Sequence, residues 1–302
     1  MYEQITRNKR RSVIVAVLFV LVWTGIGAGV GAITGGKNGV VTGVVVALIL
    51  ALLGVLWALR SGASLVLRAS GAHPADPAQY KQLHNIVEEL AIADGLPKPT
   101  VYVIDDPSPN AFATGISPKK AAITATTGLL ETMNREELEG VISHEMSHIK
   151  NYDVRLILIV STLIGLAALL ASLVWRIGFF ARPRGRDGGQ IMLVIFAAGA
   201  ALAIVAFIVG PLIKLALSRS RESLADVTAV ELTRNPAGLI KALKKLQAND
   251  KPFAKFNHAT ASMCIDDPLQ HHETWFHRLF DTHPPIAERI AVLEQLAGGP
   301  VS

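Results

Sequence analysis

The chain of 302 residues is 51% apolar and carries a formal net charge of +5 at pH 7. Its mean hydropathy of +0.40 exceeds that of ordinary globular domains, so the composition points away from a wholly soluble protein. No basic stripe is interleaved with aromatic residues, which argues against nucleic acid as a partner. The single Cys264 excludes an intramolecular disulfide and suits a reducing compartment.

The apolar excess is concentrated in four blocks that contain no Asp, Glu, Lys, Arg or His, and each is long enough to cross a bilayer. The blocks cover residues 12–33, 39–59, 156–174 and 191–213. The first block follows a basic segment, residues 1–11, as a signal peptide would. Its apolar run exceeds the signal core of about 7 to 15 residues, so we predict a retained anchor. A buried core helix is the alternative for each block, and it carries more weight for the last two, which are richer in Gly, Ala and Ser.

The four blocks predict a multi-pass protein of the inner (plasma) membrane, in contact with the lipid bilayer. Helices 1 and 2 occupy residues 12–59, and helices 3 and 4 form a hairpin over residues 156–213. The polar parts, residues 60–155 and 214–302, must then face the same side. That side has more Lys and Arg near the span ends, so the positive-inside rule places it in the cytoplasm. The basic turn at residues 182–186 argues the other way.

The polar parts predict a small domain of helices with one small sheet, which makes the fold mainly α with a minor β component (α+β). An amphipathic helix over residues 78–94 is followed by strands at 100–104, 111–114 and 121–127. Asn134 caps the next helix, which we expect to run through residues 151–153 toward the third span. Further helices are predicted at 218–233, at 237–246 and after Pro284-Pro285, with a long loop over 248–281.

The helix that begins at Asn134 carries the pattern His-Glu-x-x-His at residues 144–148. Histidines at positions i and i+4 point the same way, so His144 and His148 can hold one metal ion, and imidazole suits zinc. Glu145 projects beside such a metal, where it can act as the general base toward a bound water. The alternative is a solvated helix face on which the pattern occurs by chance.

The third metal ligand is left open by this motif. The longer pattern with a glycine and a third histidine downstream is excluded, because Asn151 and Val154 occupy those positions. Glu222, with Asp226 one helical turn later, could complete the site and orient an imidazole. An exposed helix with Arg219 and Arg221 as charge partners is the alternative for this pair. The other candidate ligands are Asp153, His258, His271, His272, His277 and His283.

These motifs together resemble the HtpX-type membrane zinc proteases, which are bacterial and archaeal relatives of the eukaryotic CAAX prenyl-protein zinc protease. The resemblance rests on the 144–148 motif before a span, Asn-Ala-Phe-Ala at 110–113 and Arg-Glu-x-x-Ala-Asp at 221–226. It covers nearly the whole chain and implies four spans around a split gluzincin-type peptidase domain with one Zn²⁺ per chain. By this resemblance, the zinc ligands of this chain would be His144, His148 and Glu222. Glu145 would be the base, and Asp226 would orient a ligand.

The resemblance also implies a substrate cleft. The strand at 121–127 would be an exposed edge that accepts extended substrate, which makes Ala121, Ile123 and Ala125 substrate contacts. Asn110 and Phe112 would shape the same cleft, with ordinary core packing as the alternative for Phe112.

A late Thr-His-Pro-Pro sequence at residues 282–285 resembles an element of the relatives in which a histidine approaches the substrate carbonyl. His283 could then donate a hydrogen bond to the oxyanion of the tetrahedral intermediate. The alternative is a loop histidine that caps the final helix.

The predicted function is therefore that of a membrane metalloendopeptidase whose partners are membrane or membrane-proximal protein substrates. The resemblance alone suggests a role in quality control of membrane proteins under stress. Processing of lipid-modified peptides is a second enzymatic alternative. A non-catalytic zinc-binding scaffold is a third, although Glu145 speaks against it because a structural zinc site needs no base.

Overall fold

The computed structural model describes residues 2–180, 188–204, 210–248 and 285–301. The helices in these ranges are α1 (Tyr2–Ala69), α2 (Lys81–Asp94), α3 (Thr127–Thr132), α4 (Arg135–Lys150), α5 (Asp153–Phe180), α6 (Gly188–Ile204), α7 (Gly210–Thr233), α8 (Pro236–Gln247) and α9 (Ile286–Leu296). The strands are β1 (His73–Pro74), β2 (Thr100–Ile104), β3 (Ala111–Gly115) and β4 (Ala121–Thr126), and a short 3₁₀ turn covers Pro118–Lys120. A mainly helical chain with one small sheet is confirmed. The basic turn at 182–186 and nearly all of the predicted loop at 248–281 lie outside the described residues.

The chain divides into two compact units. The polar unit comprises residues 1–9, 63–158 and 214–302 where these are described, and the apolar unit comprises residues 10–62 and 159–213. The predicted boundaries at 11, 59, 155 and 213 remain predictions.

Three helical segments have the length and composition to cross a membrane, namely Ile5–Ala32, Lys37–Ala69 and Asp153–Arg176. They contain the second and third predicted blocks and all of the first except Ile33. The first two of these segments are the two arms of α1. Large apolar side chains on both arms are exposed, as lipid-facing side chains would be, among them Leu21, Leu53 and Trp57. The fourth block at 191–213 includes residues 205–209, which lie outside the described part, and only the shorter apolar helix Ile195–Ile204 is found there. A fourth span stays a prediction.

The two arms of α1 fold back on each other through glycines. A Cβ on Gly27 would collide with the Gly43 carbonyl oxygen, and a Cβ on Gly31 would collide with the Gly39 carbonyl oxygen. Small residues at this spacing allow two helix backbones to approach closely, which is how apolar helices gain packing energy in lipid. Elsewhere in the apolar unit, Phe19 of the first arm packs in one cluster with Ala51, Ala58, Ile159 and Leu163.

The sheet of the polar unit has the strand order β1-β2-β4-β3. β4 pairs with β2 in parallel on one side and with β3 antiparallel on the other. The prediction that residues 121–127 form an exposed edge is therefore wrong, because the backbone of β4 is paired with strands on both sides. Among the residues that the structure describes, the edge strand on this side of the sheet is β3.

Helix α4 is held at the centre of the polar unit. The predicted cap at Asn134 is confirmed as a reciprocal capping box, since its side chain accepts from the Glu137 amide and the Glu137 side chain accepts from the Asn134 amide. α4 packs against β3, α2 and α8. A Cβ on Gly140 would collide with the Leu239 backbone, so this glycine allows α8 to lie close against α4.

Candidate metal centre

Helix α4 presents its functional side chains to the interior of the polar unit. His144 and Glu145 are at most 2% exposed and His148 is 7% exposed. The apolar residues Ile142, Met146 and Ile149 share the burial of this helix and fix its orientation. The solvated-face alternative for the motif is therefore wrong, because all three polar side chains are withdrawn from water.

The imidazoles of His144 and His148 meet the carboxylate of Glu222, which lies on α7. The two Nε2 atoms are 3.2 Å apart. His144 Nε2 lies 3.4 Å from Glu222 Oε2, and His148 Nε2 lies 3.6 Å from Glu222 Oε1. Four ligands placed about 2.0–2.2 Å from a central zinc ion define a tetrahedron with edges of roughly 3.3–3.6 Å. The three observed separations have the size of such edges, so these donor atoms fit a zinc ion.

The remaining ring nitrogen of each histidine contacts a carboxylate. His144 Nδ1 lies 2.9 Å from Asp226 Oδ1, and His148 Nδ1 lies 3.2 Å from Asp153 Oδ2. Since an ionised carboxylate can only accept, each Nδ1–H donates to it, and this fixes the tautomer that leaves both Nε2 lone pairs facing the metal position.

A break between helices α4 and α5 brings Asp153 to His148. α4 ends at Lys150, and Tyr152 adopts a left-handed φ of 61° before α5 begins at Asp153. The prediction of a helix that continues through residues 151–153 is wrong. In a continuous helix, residues five apart lie about 140° apart around the axis, so Asp153 could not reach the His148 ring.

Asp226 also accepts two hydrogen bonds from Arg289 on α9. Arg289 Nε donates to Asp226 Oδ2 at 2.9 Å, and the second guanidinium nitrogen donates to Oδ1 at 2.7 Å. Burial would raise the pKa of Asp226, but Arg289 and His144 lower it to about 2. The Asp226 carboxylate is therefore ionised and accepts a hydrogen bond from His144 Nδ1–H.

The electrostatics of the site favour a cation. Burial and Arg289 lower the pKa of His144, yet the carboxylates of Asp226 and Glu222 outweigh them and raise it to about 9. Surroundings that favour a positive charge on this imidazole also favour a divalent ion at its Nε2, in exchange for the proton.

Glu145 lies beside the edge of the sheet. Burial raises the pKa of its carboxyl group, with His144 and His148 acting in the opposite direction. The backbone amide of Ala113 on β3 donates to this carboxylate. The group expected to move protons is thus next to both the metal position and the edge strand.

The model of peptidase family M48 matches residues 77–297. The chain belongs to peptidase family M48. Protease HtpX homologs match it over nearly its full length. The one from Lactobacillus helveticus is 40% identical over 98% of this chain and 100% of its own, and the one from Caldanaerobacter subterraneus is 43% identical over 98% of each.

Among solved structures, the crystal structure of S. mikatae Ste24p aligns with 97% of this chain and 66% of its own, with a TM-score of 0.53 and 18% identity. That likeness concerns the fold alone. The resemblance to HtpX-type proteases is confirmed, and so is the prediction of an enzyme, a membrane metalloprotease. Membership of M48 implies a metal, and the donor set described above suits zinc.

In this M48 member, burial of the 221–226 segment bears on its exposed-helix alternative. Glu222 and Asp226 are each 2% exposed, and Arg221 is 5% exposed, so the exposed-helix alternative is wrong. Of the other candidate ligands, Asp153 contacts the outer nitrogen of His148 instead of the metal position. His283, like His258, His271, His272 and His277, lies outside the described residues.

The predicted substrate contacts fall in the sheet. Ala121, Ile123 and Ala125 are buried on the inner strand β4, so they offer no exposed edge. Phe112 packs in a cluster with Val66, Leu67, Ile104, Ala122 and Leu158, as the core-packing alternative expected. Asn110 is 3% exposed, and its Oδ1 accepts from the Ala111 amide at the start of β3.

Sequence reasoning missed two residues near the site, Arg289 and Asn8. Arg289 carries a readable signal, because it shares the helical stripe of Ile286, Ile290 and Leu293, where a charge is costly unless it is paired. Asn8 carries no such signal, since nothing in a basic N-terminal segment distinguishes a buried amide from an exposed one.

Proposed function

We propose that this M48 protease holds one Zn²⁺ between His144, His148 and Glu222 and cleaves peptide bonds of membrane or membrane-proximal proteins. The observation that carries the proposal is the set of three donor separations, each the length of a tetrahedron edge around zinc. A zinc ion bound there would polarise the scissile carbonyl and lower the pKa of a coordinated water.

The chain's own residues supply the proton transfers. Glu145 takes the proton from the attacking water and passes it to the leaving amine, which is the work of a general base followed by a general acid. Its burial, which raises its carboxyl pKa, makes it a better proton acceptor than an exposed glutamate. Asp153 and Asp226 keep the two imidazoles in the orientation that the reaction needs.

The edge strand β3 would hold the substrate. The edge strand of a sheet can pair with an extended peptide through backbone hydrogen bonds, which depend little on sequence. β3 is the strand whose Ala113 amide contacts Glu145, so a peptide added along it would run past the proton-transfer group. Asn110, which precedes β3, would shape the entrance, and His283 would assist the oxyanion.

The topology is also a proposal. Four spans would place the amino terminus and both polar parts in the cytoplasm, with a hairpin of helices 3 and 4 between the two halves of the site. A contact within the polar unit supports the same side for the amino-terminal segment and the first polar part, since the Asn8 side chain donates to the Asn151 carbonyl at 2.9 Å. The names of the relatives suggest the HtpX role, which we take as quality control of membrane proteins under stress.

The test compares protein fragments in membranes that hold either the wild type or Glu145→Gln. We expect fragments of membrane and membrane-proximal proteins only with the wild type, in greater number after heat stress. Fragments confined to lipid-modified carboxyl-terminal peptides would favour the processing alternative. Identical fragment patterns with the two proteins would contradict the proposal.

A further inference from the structure

The turn that returns Asp153 to His148 is held by the amino-terminal segment. Asn8 is 2% exposed, and its side-chain amide donates to the Asn151 carbonyl at 2.9 Å and to Asp153 Oδ1 at 2.7 Å. The ammonium of the next residue, Lys9, lies 4.3 Å from the centre of the Tyr152 ring, a cation–π distance. Two consecutive residues near the start of α1 thus contact all three residues of the break.

The two oxygens of Asp153 serve two partners. Oδ2 accepts from His148 at 3.2 Å, while Oδ1 accepts from Asn8 at 2.7 Å. A buried carboxylate held at one oxygen can rotate about its side-chain bonds, whereas one held at both oxygens is fixed in plane and position. The Asn8 bond is the shorter of the two, and bonds to an ionised acceptor are stronger than bonds between neutral groups.

From this arrangement we propose that Asn8 is a positioning residue of the metal centre, acting on His148 through Asp153. The proposal rests on the proposed function in that His148 is taken as a metal ligand. The side chain of Asn8 acts on the turn, through its bonds to Asn151 and Asp153. It fixes the break and the carboxylate, and these in turn fix the direction of the His148 Nε2 lone pair.

A consequence is that the segment around Asn8, near the start of α1, contributes to the geometry of the metal centre. Metal affinity then depends on a residue 145 positions away from Asp153 in sequence. The competing interpretation is that Asn8 only attaches α1 to the polar unit, in which case its loss would lower stability without changing the metal site.

The first experiment measures the zinc dissociation constant of the full chain in detergent by competition with a chromogenic chelator. Asn8→Ala is compared with the wild type and with Asn85→Ala, an exposed asparagine on α2. We expect Asn8→Ala to weaken zinc binding by about tenfold, the lower end of the range for outer partners of a ligand, and Asn85→Ala to leave it unchanged. Equal affinities of Asn8→Ala and the wild type would overturn the proposal.

The second experiment separates positioning from attachment with a double-mutant cycle on Asp153. If Asn8 acts through Asp153, adding Asn8→Ala to Asp153→Ala changes zinc affinity by less than about twofold. If it weakens affinity as much as in the wild-type background, Asn8 does not act through Asp153 and the proposal fails.

A swapped pair covers the case in which Asn8→Ala does not fold. Asn8→Asp places a carboxylate against Asp153 and is expected to weaken zinc binding more than the alanine variant. In Asn8→Asp with Asp153→Asn, an amide again faces a carboxylate. Because Asp153→Asn by itself also weakens the site, we expect the loss of zinc affinity in the double variant to be smaller than the product of the losses in the two single variants. Losses that multiply would count against the proposal. A wild type that binds no zinc would instead refute the proposed function, so the two failures are distinct.

Discussion

Asp153 accepts a hydrogen bond from His148 across a helix break, with Oδ2 3.2 Å from Nδ1. On the other side of the site Asp226 stands in the same relation to His144 at 2.9 Å. Both imidazoles are therefore oriented by a carboxylate behind them, one supplied by the turn after α4 and the other by α7. This symmetry explains how two buried histidines direct their Nε2 atoms toward a single point.

Removal of either carboxylate should weaken the metal site. We expect Asp153→Asn and Asp226→Asn each to raise the zinc dissociation constant by about 10- to 100-fold, because the imidazoles lose a charged acceptor that fixes their tautomer. Chelator competition measures the effect. Asp105→Asn, at an exposed carboxylate, is the control and should bind zinc as the wild type does.

Arg289 should stabilise the folded chain as well as the site. Arg289→Met leaves the Asp226 carboxylate buried without its bidentate partner, which should cost about 3–5 kcal/mol of unfolding free energy. Lys244→Met, which removes an exposed ion pair with Glu294, should lower the unfolding free energy far less, because solvent screens such a pair. Denaturant unfolding in detergent gives both values. Similar losses in the two variants would show that the buried pair contributes no more than a surface one.

The metal motif at 144–148 could be predicted from the sequence because helical spacing and residue chemistry are local properties, whereas spacing left Glu222 and Asp226 open and only the family resemblance favoured them. Features that depend on contacts between residues distant in sequence were not predicted correctly. The edge strand was assigned to residues 121–127, since nothing local reveals that β4 is paired on both sides. The break at Tyr152 was missed because a tyrosine gives no sign of a left-handed backbone, and without that break the role of Asp153 is hidden.

The close approach of the two α1 arms predicts a matched pair of glycine variants. Gly27→Ala should lower thermal stability in detergent, because its Cβ would collide with Ala47 and with the Gly43 carbonyl oxygen. Gly29→Ala meets open space and should leave the melting temperature the same or slightly higher, since alanine favours helix. Equal melting temperatures for the two variants would mean that the arms do not pack in this way.

The central claim is that zinc at His144, His148 and Glu222, with Glu145 as base, performs peptide hydrolysis. Purified wild type and Glu145→Gln are assayed side by side for zinc content by elemental analysis and for cleavage of an unfolded protein such as casein. We predict one zinc per chain in both, and a loss of cleavage of about 10²- to 10⁴-fold in Glu145→Gln. Cleavage by Glu145→Gln at the wild-type rate, or cleavage by the wild type after complete removal of zinc, would contradict the claim.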